Sequence, residues 1–329
     1  MPYAPGWWCR SRHVQTIWPV LFRRARATTR RERLETPDGD FVDLDWLDGP
    51  PDRPLVLILH GLEGSSRSHY VAGLLNACAA RALRGVVLNF RSCSGELNRR
   101  PRLYHSGETG DFELALHHVL ERAGDVAVGV VGVSLGGNVL LKWLGERGSE
   151  VPSRLRAAAA ISAPFDLAAC ARVLDRGFNR RVYTLNFLRT MRRKVRRMAR
   201  HHPGFVDVSR ASSARTFAEY DRVVTAPLFG FADEMDYWRR ASCAPWLASI
   251  RRPTLLINAR DDPFVPPDAL EDIEAVSSPW LRAEFPDRGG HVGFIEGPPW
   301  RATFWAERRA VEFLGAALEP APSASMTAS

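Results

Sequence analysis

The sequence lacks any long apolar run. Stretches such as Leu55 to Leu59 are interrupted far below the ~18 residues that a membrane-spanning helix needs. The amino-terminal MPYAPGWWCRSRHVQTIWPVLFRR has no apolar core between a basic start and a small-residue cleavage site, which argues against a secretory signal. Cysteine is sparse: Cys9, Cys78, Cys93, Cys170 and Cys243 are scattered, odd in number and form no CxxC pair, as suits a soluble protein in a reducing cytoplasm. The GxGxxG pattern of a dinucleotide site is missing from the loop after the first buried strand, which disfavours a nicotinamide enzyme. The adjacent pairs His117-His118 and His201-His202 point their rings apart on a helix, so neither chelates a metal. No internal repeat is present, and no cofactor or metal is expected.

What is there is enough for a large core: 329 residues, 45% of them hydrophobic, for one large α/β domain or two smaller ones. Only residues 319–329 (EPAPSASMTAS) read as a flexible, solvated tail. The net charge of +8 has a local source, because Arg189, Arg192, Arg193, Lys194, Arg196, Arg197 and Arg200 contribute seven positive charges with no acidic residue among them. The arginines recur at helical spacing, with Leu188, Met191, Val195 and Met198 on the other side, so the segment reads as a basic amphipathic helix. Such a helix serves either as a solvated face or to attract anionic substrates or anionic membrane surfaces. Nucleic acid is not an expected partner, since no aromatic interleaving or binding motif accompanies the charges.

Strands alternate with helices along the chain, the pattern of a mostly parallel sheet covered on both faces. Arg33 to Trp46 reads as two alternating strands around the turn Pro37-Asp38-Gly39-Asp40, and Leu55 to Leu59, Gly85 to Phe90, Val126 to Val133, Ala157 to Ser162, Thr254 to Asn258 and Arg282 to Phe285 as buried strands. Helices fit Ser68 to Ala82, Asp111 to Ala123, Gly136 to Glu146, Asp268 to Val276 and Trp300 to Leu318. Residues 163–252 break this rhythm and are too long for a simple connection. Because strands resume afterwards, they read as an inserted helical cap, or lid, within a single domain spanning 1–329.

Chemistry falls on this frame at Gly132-Val133-Ser134-Leu135-Gly136, a GxSxG motif between a strand-like and a helix-like run. A tight strand-to-helix turn forces the serine into a strained conformation and requires neighbours without side chains. It exposes Ser134 Oγ at a helix N-terminus, where the Leu135 N–H can donate to a developing oxyanion. The loop His60-Gly61-Leu62-Glu63-Gly64 aims a second donor, the Leu62 N–H, at the same place, with His60 shaping the loop. An acid and then a histidine are required downstream. Asp261 and Asp262 follow the strand Thr254 to Asn258; Asp262 is preferred because Pro263 and Val265-Pro266 resemble the acid-bearing loop of α/β-hydrolases, while Asp261 suits a hydrogen bond within the turn. His291, set among glycines in DRGGHVGF, is the one histidine of nine beyond that loop. His105 and Glu108 fit a turn capping the following helix better than a place in the site.

Taken together, HVQTIWP (13–19), HGLEGSSRSHY (60–70), NFRSCSGELNRRPRLYHSGETGDF (89–112), GVSLGGN, APFDLAAC, the basic segment and NARDDPFVPP resemble the bacterial YheT-type α/β-hydrolases, which are related to eukaryotic α/β-hydrolase-domain lipases. Val14 stands where leucine is expected and Cys93 departs from an expected Gly-Cys; neither touches the presumed reactive residues. The eukaryotic relatives carry a membrane anchor before the shared region, which this sequence is not expected to have. The resemblance implies an α/β-hydrolase fold with a mostly parallel central sheet flanked by helices and an inserted helical lid. It also implies a triad of Ser134, Asp262 and His291 acting on carboxylic esters. Arg192, Arg193, Arg196 and Arg197 are lid candidates for an anionic or lipid-like ester substrate. The competing expectations are an acyltransferase or thioesterase with the same triad, and a non-catalytic scaffold binding anionic surfaces.

Overall fold

Leu55, Leu57 and Leu59 alternate with Val56 and Ile58, and in the computed structural model, which describes residues 2–319, both sets are fully buried but on opposite faces of one sheet. A side chain of this kind contributes about 1.5–3 kcal/mol on full burial, and a strand covered on both faces collects it at every position. The sheet has eight strands: β1 (Arg30–Glu35), β2 (Phe41–Leu47), β3 (Leu55–Leu59), β4 (Arg84–Asn89), β5 (Val128–Val133), β6 (Leu155–Ile161), β7 (Thr254–Ile257) and β8 (Leu281–Glu284). Their order is β1-β2-β4-β3-β5-β6-β7-β8; β1 and β2 are antiparallel to their neighbours and the other six strands run parallel.

Helices α2 (His69–Ala79) and Trp305–Leu318 cover one face through Val71, Leu74, Leu75, Val311 and Leu314. Helices α3 (Thr109–Ala123) and α4 (Leu135–Arg147) cover the other through Phe112, Leu116, Leu120, Leu140 and Leu144. The last helix starts at Trp305 rather than Trp300, because Pro298 and Pro299 open a short 3-10 turn that leads into Thr303–Phe304, paired with Ile295–Glu296 in a two-stranded hairpin. Helix α1 (Arg12–Phe22), with Pro19 inside it, carries the HVQTIWP stretch. The tail beginning at Glu319 lies outside the described residues from residue 320 onward.

Between β6 and β7 the chain forms the cap, a succession of helices with its own apolar centre, including Leu188, Val195, Met198, Phe217, Tyr220 and Trp238. The basic segment is the helix Leu185–His201, and it buries Leu188, Val195 and Met198 as its periodicity predicts. Among the described residues no helix is long and apolar enough to cross a membrane.

Candidate active site

Ser134 sits between β5 and α4 with φ 52° and ψ −120°, a left-handed conformation in which its N–H donates to Ile161 O at 2.8 Å. A non-glycine residue held there costs roughly 1–3 kcal/mol, which the crossing of β5, β6 and α4 must offset. The flanking glycines are sterically required. A Cβ on Gly136 would lie 2.5 Å from Leu59 O and 2.7 Å from His60 O, and one on Gly132 would lie 2.7 Å from the Gly137 Cα. These neighbours are backbone and cannot move aside. Gly136→Ala is therefore expected to destabilise the fold by about 3 kcal/mol or more, seen as a lower urea midpoint with an unchanged slope.

Three loops bring partners to the serine. His291 Nε2 lies 2.9 Å from Ser134 Oγ, and His291 Nδ1 lies 2.9 Å from Asp262 Oδ2. A carboxylate only accepts, so Nδ1 carries the proton and Nε2 is free to accept from the hydroxyl. Asp262 is buried and takes a second bond at Oδ1 from the Phe264 N–H at 2.8 Å. The Phe264 ring stacks on the imidazole with centroids 4.0 Å apart. Asp261 faces elsewhere, accepting the Gly290 N–H at 2.9 Å. The two adjacent carboxylates thus do different work, one on the imidazole and one on the backbone of its loop.

The N–H groups of Leu62, on the loop after β3, and of Leu135, the first residue of α4, have no hydrogen-bond partner among the described residues, and both residues line the space at Ser134. His60 shapes this loop: Nδ1 donates to Gly61 O at 2.7 Å, and Nε2 accepts the Phe90 N–H at 3.1 Å. Glu63, which follows Leu62, is at φ 55°; its N–H donates to Tyr104 OH at 2.7 Å and its Oε1 accepts from Lys194 Nζ at 2.6 Å. Lys194, counted above with the arginines of the basic segment, is therefore a part-buried tie from the cap helix to this loop.

Two cavities meet at Ser134. One, of about 100 Å³, is apolar and lies under the cap between Leu135, Leu167, Leu174, Phe187, Phe217 and Trp238. It contains one carboxyl, Asp221, which accepts from Thr225 Oγ1 at 2.6 Å and Trp238 Nε1 at 2.9 Å, and which burial pushes up to about 7. The other, of about 420 Å³, opens towards Ile17, Val20 and Leu21 of α1. The lid arginines do not reach either cavity. Arg192 donates to Ala214 O, Arg193 and Arg197 line a separate groove beside Glu63, and Arg196 is exposed. Their spacing reported a helix face correctly but could not report which way the helix turns that face. His105 packs its ring against Phe229 and Tyr237, Glu108 pairs with Arg102 at the start of α3, and neither lines the cavities at Ser134.

Several positioning residues carried no legible chemical signal. The Gln15 Oε1 accepts the Ile295 N–H at 2.7 Å, its Nε2 donates to Cys9 O at 2.8 Å, and Thr16 Oγ1 accepts the His291 N–H at 2.9 Å. Helix α1 lies so close to the histidine loop that a Cβ on Gly290, at φ 59°, would meet Arg12 O at 2.5 Å. Gln15→Leu leaves a buried N–H without an acceptor, and is expected to lower stability by roughly 1–3 kcal/mol in chemical denaturation. Asn138 ties α4 to the end of the cap: Nδ2 donates to Ser106 O and Ala241 O, each at 2.7 Å, and Oδ1 accepts the Cys243 N–H at 2.9 Å.

A family model described as alpha/beta hydrolase fold matches residues 54–298. The chain belongs to the α/β-hydrolase fold family. This hydrolase-fold chain is 41% identical, over 93% of its length and 91% of the other's, to YheT of Escherichia coli (strain K12), an esterase by name. It is 31% identical to phospholipase ABHD3 of Homo sapiens, covering 96% of this chain and 79% of that one. It is also 29% identical to the monoacylglycerol lipase of Saccharomyces cerevisiae, covering 88% and 64%. Among solved structures, the Pyrococcus furiosus esterase Pf2001 superposes with a TM-score of 0.58 at 16% identity over 89% of this chain and 92% of that one, a likeness of fold.

Three imidazoles of this α/β-hydrolase, one buried and two partly buried, tie its stability to pH. Burial lowers His60 and His69 to about 4 and His105 to about 3. The unfolded chain takes up these protons near pH 6.5, so stability is full above that pH and is lost as pH falls through 6.5 towards 4, by up to about 1.4 kcal/mol per unit for each group. Asp221 acts in the opposite sense, since a raised carboxyl costs stability as pH rises from about 4 to 7. The net expectation is a urea midpoint that falls on acidification between pH 6.5 and 4.5, with a shallower fall in His69→Gln.

Proposed function

We propose that this protein hydrolyses carboxylic esters through an acyl-enzyme formed on Ser134. His291 Nε2 takes the hydroxyl proton as Oγ attacks the carbonyl, Asp262 holds the imidazole in the Nδ1–H tautomer and stabilises its charge, and the Leu62 and Leu135 N–H groups receive the oxyanion. His291 then returns the proton to the leaving alcohol, and a water activated by the same nitrogen releases the acid.

The observation that carries this reading is the unbroken line from Asp262 Oδ2 to His291 Nδ1 and from His291 Nε2 to Ser134 Oγ, each step 2.9 Å, at a strained turn. The names of the relatives, an esterase, a phospholipase and a monoacylglycerol lipase, support an ester of lipid-like character. The two cavities support it too: the smaller apolar chamber suits the acyl arm and the larger groove the alcohol arm. The lid arginines are left out of this assignment.

A fluorophosphonate reports directly on an activated serine. The wild type is expected to label, and Ser134→Ala to resist. Equal labelling of both proteins, or labelling of neither, would overturn the proposal. Hydrolysis of p-nitrophenyl esters of increasing acyl length then sizes the chamber, and adding alcohols or thiols as competing acceptors separates hydrolysis from acyl transfer.

A further inference from the structure

Helix α1 ends in three consecutive apolar residues, Val20, Leu21 and Phe22, which are 63%, 54% and 61% exposed. Single exposed apolar side chains are ordinary, but a contiguous group is not. Ring contacts extend this one from Phe22 through Trp18 to Trp8, and Trp7 beside it is 69% exposed. The tip is firmly held. Arg23, the next residue, forms a two-pronged pair with the buried Glu307 of the last helix, with Nη2 2.8 Å from Oε2, and its guanidinium lies 3.5 Å above the Phe304 ring.

Beside the tip, Arg24, Arg26 and Arg67 line a groove of about 850 Å³. Arg31 in the same groove is paired with Asp45, but no ion pair of Arg24, Arg26 or Arg67 occurs among the described residues. This cationic groove shares Val20 and His69 with the groove that reaches Ser134. An apolar tip, three uncompensated guanidiniums and the mouth of the site therefore adjoin.

We propose that this surface docks the protein onto an anionic lipid bilayer, with Leu21 and Phe22 entering the boundary of the acyl layer and Arg24, Arg26 and Arg67 pairing with headgroup phosphates. The groove to Ser134 then opens onto the membrane. Charge complementarity selects this occupant: an apolar tip of this size binds a bilayer only weakly alone, and adjacent basic residues add an attraction specific to anionic lipid. A two-fold pairing of this patch with a second copy would instead place unneutralised arginines near one another. The proposal deepens the ester-hydrolase reading but is tested apart from it, because docking needs no chemistry.

The experiment is co-sedimentation of the full-length Ser134→Ala protein with phosphatidylcholine vesicles, with and without roughly one third phosphatidylglycerol, at about 0.1 M salt. Binding to the anionic vesicles alone is expected, released by high salt, and weakened at least about tenfold by Phe22→Asp or by Arg24→Glu/Arg26→Glu. In the Ser134 background these substitutions are expected to leave hydrolysis of a water-soluble ester unchanged, which also shows that they fold. Charge reversal at Arg193 and Arg197 on the cap is expected to leave binding intact. Absence of binding, equal binding to neutral vesicles, indifference to both tip variants, or a dimer that Phe22→Asp dissolves would each overturn the proposal. If docking holds while Ser134→Ala retains full esterase activity, only the catalytic reading fails.

Discussion

Ser134→Ala is expected to lower kcat for a soluble ester by at least about 10⁴-fold with little change in stability. The loss is large because the hydroxyl is the atom that bonds to the acyl carbon; without it, His291 has no proton to move and only the oxyanion donors and binding contacts remain. The fold should tolerate the change. Ser134 Oγ contacts His291 but caps no helix N–H, and alanine accepts the same backbone at a cost close to that of serine. Equal thermal midpoints with the loss of turnover identify a chemical defect, whereas retained turnover would remove Ser134 from the mechanism.

Asp262→Asn is the second large effect, with kcat falling roughly 10⁴-fold at neutral pH. An amide in this position presents an N–H towards His291 Nδ1 and so favours the tautomer that carries its proton on Nε2, where it cannot accept from Ser134. The neighbouring Asp261→Asn tests the division of labour between the two carboxylates. Its Oδ1 holds the Gly290 N–H, and an asparagine carbonyl can replace it there, so its effect on kcat should be far smaller. Partial burial raises the Asp261 carboxyl above its ordinary value, so the neutral amide also relieves a partly desolvated charge. If the two variants were equally impaired, the pair would have to act as a unit.

Much of the frame is legible because its signals are local. The strand Leu55–Leu59 ends where its apolar run ends, and the basic helix buries the residues its period selects. GxSxG needs small residues for reasons that lie within a few residues of Ser134. Helix α1 and the hairpin of Ile295–Glu296 with Thr303–Phe304 were not legible, because their residues meet partners far away in the chain: Gln15 bonds across to Ile295. Charge counting misled in two ways. Removing the cap arginines leaves little net charge, yet a small remainder conceals the unpaired group Arg24, Arg26 and Arg67, because acids and bases elsewhere cancel in the sum but not in space. Lys194 belongs to the basic run yet turns inward to pair with Glu63.

Sequence alone determined the alternation of strands and helices, the turn at Ser134, and the order of serine, acid and histidine, since steric rules and hydrophobic period act over neighbouring residues. Only the tertiary structure decided where the cap helix aims its arginines, that Lys194 turns inward to Glu63, and that α1 both braces the histidine loop and leaves an apolar tip exposed. Those outcomes depend on the packing of segments hundreds of residues apart, where a rotation of one helix or a one-residue step along a loop exchanges a contact for a solvent face.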